Sequence, residues 1–262
     1  MDTLAEANSQ LIQAWRLFSK SFPDRDLGDL PGLQLAWGEV PYFAYNAITL
    51  SEPVASQQDW DDRTARAIEY MSRKRFRGIL MVCDDWIPAG VQCGEGLKLA
   101  WKMTGMVADE LLAPVRTLAT LDIRRVADQR TLIDLYDINS AGYDIRPELG
   151  RASTGPVEDW DHNTFGYVGY ERDQPVACTA TFPLDQRLYV GMVATVPRAQ
   201  RRGYAESVMR HSLEQAARAT GLSRTVLHAS DAGFPIYLRM GYRATSKFTV
   251  YMPEFPSSRT QR

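Results

Sequence analysis

A chain of 262 residues can bury a sizeable core and has room for one large domain or two modest ones. Its apolar share of 45% and charged share of 24% are ordinary for a globular protein. Lys and Arg number 30 against 32 Asp and Glu, a formal net charge of -2, which excludes any global pull toward nucleic acid or an anionic membrane; a bound anion must be held locally.

In chain order, Leu4, Leu11, Trp15 and Phe18 share one face and predict an amphipathic helix. The same stretch, MDTLAEANSQLIQAWRLFSK, has neither a basic start nor an uninterrupted apolar core, and no apolar run elsewhere is long enough to cross a bilayer. A cytoplasmic protein without an export signal or membrane span is therefore expected. AYNAITL and RGILMV read as strands, DWDDRTARAIEYMSRKR between them as a helix, and Gly94 to Met103 as the lead into a further helix. Trp37, Tyr42, Phe43 and Tyr45 form an aromatic cluster that suits an acceptor surface or, more commonly, core packing. Cys83, Cys93 and Cys178 fall in no C-x-x-C pair and near no His cluster, so reduced buried thiols are expected rather than a metal site or a disulfide framework. APVRT at 113–117 is the expected boundary, giving domains 1–117 and 118–262.

The second part reads more cleanly. LDIRRV alternates like a strand, and Asp128 caps a helix whose Leu132, Leu135 and Tyr136 share a face. A polar loop over 144–163 leads into TFGYVGYERDQPVACTATF and RLYVGMVATV, an antiparallel meander with turns at Arg172-Asp173-Gln174 and at Pro183 to Gln186. A helix from about Gly203 to Thr220, the short strand TVLHA, a short helix from Asp231 and the strand YRATSKFTVYM complete the order β-α-β-β-β-α-β-α-β. The first part offers a parallel. AITL leads through Pro53, a long helix, RGILMV and a short helix to WKMTGM, as the strand ending at Val196 leads through Pro197 to YLRMGY, which suggests a diverged internal repeat.

The stretch VPRAQRRGYAESVMRHSLEQA carries the chemistry. Where a strand turns straight into a helix, the first unpaired N–H groups and the positive end of the helix dipole face whatever lies beyond. Gly203 and Ala205 are small where a bulky group would keep the backbone off an anion, and Arg198, Arg201 and Arg202 add positive charge. Several consecutive N–H groups suit a pyrophosphate better than a single phosphate. Neither G-x-x-x-x-G-K-[ST] nor a G-x-G-x-x-G after a strand occurs, so NTP hydrolysis and Rossmann dinucleotide binding lose their main support.

VATVPRAQRRGYA resembles the acetyl-CoA pyrophosphate loop of the GNAT acetyltransferase superfamily, whose pattern [QR]-x-x-G-x-[GA] falls here on Gln200, Gly203 and Ala205. ASDAGFPIYLRMGY resembles that family's second motif, a tyrosine four residues before a glycine and an aromatic, here Tyr237, Gly241 and Tyr242. The resemblance covers about 121–252. It implies an α/β (α+β) fold with a GNAT-like mixed central sheet flanked by helices, in tandem with a degenerate GNAT-like domain if the first part is its diverged copy.

The resemblance also implies acetyl-CoA as cosubstrate, no metal, and an amine acceptor that is either a small molecule or a protein, with a homodimer open. The backbone of Val193, Ala194 and Thr195 would pair with the pantetheine arm. The N–H groups of Gln200, Arg201, Arg202, Gly203, Tyr204 and Ala205 would hold the pyrophosphate, and Ser230 and Gly233 would contact CoA in place of the family's usual asparagine and alanine. Tyr237 would face the sulfur as general acid, since a thiol of pKa about 8.5 leaves more readily when a phenol protonates it. YVGMVATV has no carboxylate, which leaves His228 on the neighbouring strand as a candidate base, with Glu171, Asp144 and Glu148 behind it. The first part has Trp101 in the place of Tyr237 and an acidic, glycine-free SEPVASQQDWDD after its strand, which would repel a pyrophosphate. A non-catalytic acyl-CoA-binding regulatory protein is the alternative.

Overall fold

The computed structural model describes residues 3–92, 95–160 and 163–254. Cys93, one of the thiols expected to be buried, lies outside them, as does Gly94. The chain is mixed α/β and divides into two compact units, 1–105 with 245–262, and 106–244. The segment 106–117 thus goes with the second unit and the C-terminal strand with the first, whereas the sequence placed the division at 117. The reason is strand pairing at long sequence separation: Phe248 to Tyr251 pair with Cys83 back to Leu80, and no local signal announces such a partner.

The first unit opens with α1 (Thr3–Ser19), whose Leu11 and Ala14 are fully buried. It continues through β1 (Asp29–Leu30), β2 (Leu33–Trp37), β3 (Asn46–Leu50), α2 (Gln57–Ser72), β4 (Ile79–Cys83) and β5 (Leu97–Ala108). With β11 (Arg243–Pro253) these strands form a mixed sheet in the order β1-β2-β3-β4-β11-β5. β3 and β4 run parallel, Ala47 opposite Ile79, as a strand–helix–strand crossover requires. The sequence foresaw α1, β3, α2 and β4. It missed β2 and read the Gly94–Met103 stretch as helical, but Leu97, Leu99, Trp101 and Met103 alternate, and this period of two makes it the strand β5. That correction also removes the hexapeptide match. WKMTGM lies inside a strand, while YLRMGY ends a helix and turns. The aromatic cluster is core: Trp37 is fully buried, Tyr45 nearly so, and Tyr42 packs edge-on against Phe43 and Tyr45.

The second unit contains β6 (Asp122–Arg125), α3 (Gln129–Gly142), the short α4 (Pro147–Arg151), β7 (Phe165–Glu171), β8 (Gln174–Leu184), β9 (Arg187–Thr195), α5 (Tyr204–Thr220), β10 (Thr225–Ala229) and α6 (Phe234–Arg239). Its strands lie in the order β10-β9-β8-β7-β6. β10 is parallel to β9 and the rest are antiparallel. Both hairpins use two-residue turns with both residues at positive φ, Arg172-Asp173 (49° and 60°) and Asp185-Gln186 (44° and 62°). This is the turn whose twist matches the flanking strands. Asp128 starts α3 with a capping box, its carboxylate accepting from the Thr131 amide at 2.8 Å. α5 packs Val208, Met209 and Ala216 onto β8 and β7 with no exposed surface. Its Ser212 hydroxyl, buried too, donates to the Phe165 carbonyl at 2.7 Å and lies 2.7 Å from the Thr181 hydroxyl. The short helix expected from Asp231 begins at Phe234, because Ser230 to Gly233 form the turn before it.

Candidate functional site

A parallel strand pair that comes apart creates the site. β9 and β10 pair from Leu188 opposite Thr225 to Val190 opposite Leu227. Both strands run on past that point, β9 to Thr195 and β10 to Ala229. At the same level β9 carries a bulge against β8. Cys178 opposes Ala194 and Ala180 opposes Gly191, so Thr179 faces both Met192 and Val193. Met192 takes up the extra residue at φ 54°. The bulge bends β9 and re-aims the peptide groups around Val193, whose carbonyl lies 3.4 Å from the Tyr143 hydroxyl.

β9 leads through a turn of 3-10 helix, Pro197–Ala199, into α5. Arg201 (φ 65°) and Gly203 (φ 82°) are both left-handed, which curls the main chain into a concavity of the kind that presents amides to an anion. α2 and α3 cap their first amides with the Ser56 and Asp128 side chains, whereas Gly203 offers α5 no side-chain cap. The first N–H groups of α5 therefore border open space with the positive end of a 17-residue helix behind them.

That space is a cleft of about 570 Å³ in the second unit. Val193, Ala194 and Thr195 form one wall, and Gln200, Arg201, Gly203, Tyr204 and Ala205 the loop end. His228, Ser230, Gly233 and Tyr237 form the other wall. The predicted cofactor-binding and catalytic residues therefore converge except Arg202; Arg198 and the further base candidates Glu171, Asp144 and Glu148 do not line the cleft either. The Arg202 guanidinium donates to Glu171 at 3.3 Å, and the Tyr204 hydroxyl donates to the same carboxylate. Glu171 is thereby committed to this pair, which removes the reason to treat it as a base. The Gln200 amide donates back to the Thr195 carbonyl at 3.3 Å and fixes the turn.

Tyr237 is 8% exposed, and burial holds its phenol well above the ordinary tyrosine value, with Tyr143, Tyr242 and Tyr189 adding to the effect. It keeps its proton at neutral pH. The ring lies directly on Gly233, where a Cβ would stand 2.8 Å from Cε2 and 3.4 Å from the hydroxyl oxygen. Gly233 sits at φ -80°, so Gly233→Ala leaves the backbone unstrained and pushes the ring instead. We expect roughly a tenfold fall in turnover from that displacement, with an unchanged circular dichroism spectrum; full activity would show that the ring position is not critical. His228 shares a 3.2 Å hydrogen bond between Nδ1 and the hydroxyl of buried Tyr189. Sequence reasoning missed Tyr143, Arg116, Glu206 and Arg239, all of which line the cleft. Only Tyr143, ending a predicted helix, carried any local signal.

The first unit has the same local order, β3, turn, α2, parallel β4, but the opposite polarity in its turn. Arg63, 5% exposed, donates to the carbonyls of Gly32 (3.2 Å), Glu52 (2.9 Å) and Pro53 (3.2 Å) and forks onto Asp59 at 2.8 and 2.7 Å. The Val54 amide donates to the Trp86 carbonyl at 2.9 Å, joining the turn after β3 to the segment after β4. Carbonyls around a guanidinium cannot receive a phosphate. Among the described residues no group of three or more His, Cys, Asp or Glu side chains could hold a metal ion, and no helix is long and apolar enough to cross a membrane.

Comparison with known proteins places this geometry. Residues 132–242 match the Acetyltransferase (GNAT) family. No curated protein sequence matches the chain. Among solved structures, it is similar to a GCN5-related N-acetyltransferase from Kribbella flavida (15% identity, 98% of each chain covered, TM-score 0.74). It is also similar to a GCN5-related N-acetyltransferase-like protein from Streptococcus suis (14% identity, 94% of this chain and 99% of that one, TM-score 0.56). A third is a tandem GNAT protein from the clavulanic acid biosynthesis pathway (11% identity, 97% and 96%, TM-score 0.50). At these identities the likeness is one of fold. The splayed strands, the bulge and the uncapped helix all fall within residues 132–242, the segment that matches the Acetyltransferase (GNAT) family.

Proposed function

We propose that the second unit transfers the acetyl group of acetyl-CoA directly to a primary amine, on a small molecule or a protein, in a cytoplasmic setting. The observation that carries this reading is the uncapped start of α5 opening into a cleft that buried Tyr237 lines. Amides and one guanidinium suit a diphosphate, and the strand edge of Val193 to Thr195 suits the amide-rich pantetheine arm. Acetyl-CoA supplies the thioester.

The residues divide the work. Main-chain N–H near Val193 receives the negative charge that develops on the thioester oxygen as the amine nitrogen attacks the carbonyl carbon. When the C–S bond breaks, Tyr237 gives its proton to the departing sulfur. His228, directly or through water, takes the proton that the amine nitrogen loses, and its hydrogen bond to Tyr189 fixes the ring. The first unit, in this reading, is a degenerate copy with Arg63 in the place of a ligand, so the chain takes up one CoA.

The test is to incubate purified protein with acetyl-CoA and a panel of small amines and amine-bearing peptides and to follow free thiol. Thiol release that depends on an added amine is expected. Tight CoA binding with no amine-dependent release across the panel would defeat the catalytic reading.

A further inference from the structure

We propose that Arg116 builds a subsite for the 3′-phosphate of CoA, so that the chain distinguishes CoA from its 3′-dephosphorylated form. The inference rests on the reading of the cleft as a CoA site. It extends that reading to a segment outside residues 132–242, the part matched to the family.

The segment is fixed at Asp109 and at Leu112, before it reaches the cleft. At its start, Asp109 is held by Arg224 and, at 2.8 Å, by Arg243. The Leu112 amide then donates to the Met240 carbonyl at 2.9 Å, at the end of α6. A Cβ on Gly241 would meet the Leu112 side chain and amide at 3.0 and 3.1 Å, so glycine is what permits this approach. Four residues on, Arg116 reaches the diphosphate loop: its guanidinium lies 3.5 Å from where a Cβ on Gly203 would stand, and it lines the cleft.

The state of the surrounding charges gives Arg116 its role. Arg202 is committed to Glu171, and Glu206, the carboxylate on the cleft, is committed to Arg210 at 2.9 Å. No described residue pairs with Arg116 or with Arg201. The α5 amides and Arg201 already answer a diphosphate. Of the three arginines on the cleft, Arg239 donates back to its own helix at the Pro235 carbonyl (3.0 Å). Arg116 is then a second guanidinium beside the diphosphate loop without a partner among the described residues, more than two phosphates next to a helix N-terminus require, and CoA carries one phosphate more. A guanidinium fork matches a terminal phosphate, which offers three oxygens, better than a bridging one.

The experiment is calorimetric titration of the whole chain with CoA and with 3′-dephospho-CoA. The wild type should bind CoA roughly tenfold more tightly. Arg116→Gln, at an exposed position, should lose about that factor for CoA and stay within about twofold for the dephospho form, while raising KM for acetyl-CoA at constant kcat. Arg116→Lys, which keeps the charge and loses the fork, should fall between them. Equal weakening of both ligands by Arg116→Gln would put Arg116 on the diphosphate and overturn the proposal, as would equal wild-type affinity for the two. Wild-type protein that binds neither ligand would instead overturn the CoA reading itself.

Discussion

Tyr237→Phe is expected to lower kcat by roughly a hundredfold to a thousandfold, the range general acid catalysis supplies, and to leave CoA affinity within about twofold. The phenylalanine ring fills the same space over Gly233, so the fold and the cleft wall persist and only the proton is lost. The hydroxyl also sets an alkaline limit. Because burial raises the Tyr237 pKa above its ordinary value of 10, the protonated acid persists through pH 10, and kcat should show no alkaline fall below that point. Stability follows the same sign. Tyr189, Tyr237 and Tyr242 all have raised values in the fold, so their contribution is complete below pH 10. It is lost as pH rises further, when the unfolded chain gains by ionising them. Thiol-release rates and melting curves between pH 7 and 11 check both. A Phe variant with full activity would remove Tyr237 as the acid, and an alkaline fall centred near pH 8 would assign the limb to another group.

The second unit was readable because its punctuation is local. Gly203 and Gly221, both left-handed, delimit α5 where the sequence predicted, and the two hairpin turns fall where Arg172-Asp173 and Asp185-Gln186 interrupt alternating runs. Element order and the loop motif followed from those marks. What escaped depends on distance or direction. Arg116 meets Gly203 only because the segment carrying it is pinned to α6, and nothing near either residue reports that. Arg201 and Arg202 look alike in sequence; the left-handed Arg201 backbone puts one on the cleft and leaves the other to Glu171. The bulge at Met192 lacked any signal beyond the neighbouring Gly191. In the first unit the misread β5 shows a short apolar run taken at the wrong period, with the alternation of Leu97, Leu99, Trp101 and Met103 deciding the outcome.

Arg63→Met should destabilise the first unit by about 3 kcal/mol, because a buried, fully engaged guanidinium cannot be removed without leaving its partners behind. The carbonyls of Glu52 and Pro53 lose the guanidinium, the Gly32 carbonyl keeps only the Ser51 amide and the Asp59 carboxylate only the Ala55 amide, and the methionine chain offers no donor in return. Gly32 makes the geometry tighter still. At φ 74°, it lets the guanidinium approach to 2.5 Å of where a Cβ would lie, so no other side chain at position 32 could coexist with Arg63. A loss of this size should lower the unfolding midpoint by about 10 °C. Arg63→Lys should recover part of it, since the charge returns without the fork. CoA titration separates this structural role from ligand binding. The turn after β3 presents carbonyls, and its Val54 and Ala55 amides are engaged by the Trp86 carbonyl and the Asp59 carboxylate, so wild type and Arg63→Met should each take one CoA per chain. An unchanged midpoint would refute the buried-plug account, and two CoA per wild-type chain would refute the reading of the first unit as a copy that no longer holds the cosubstrate.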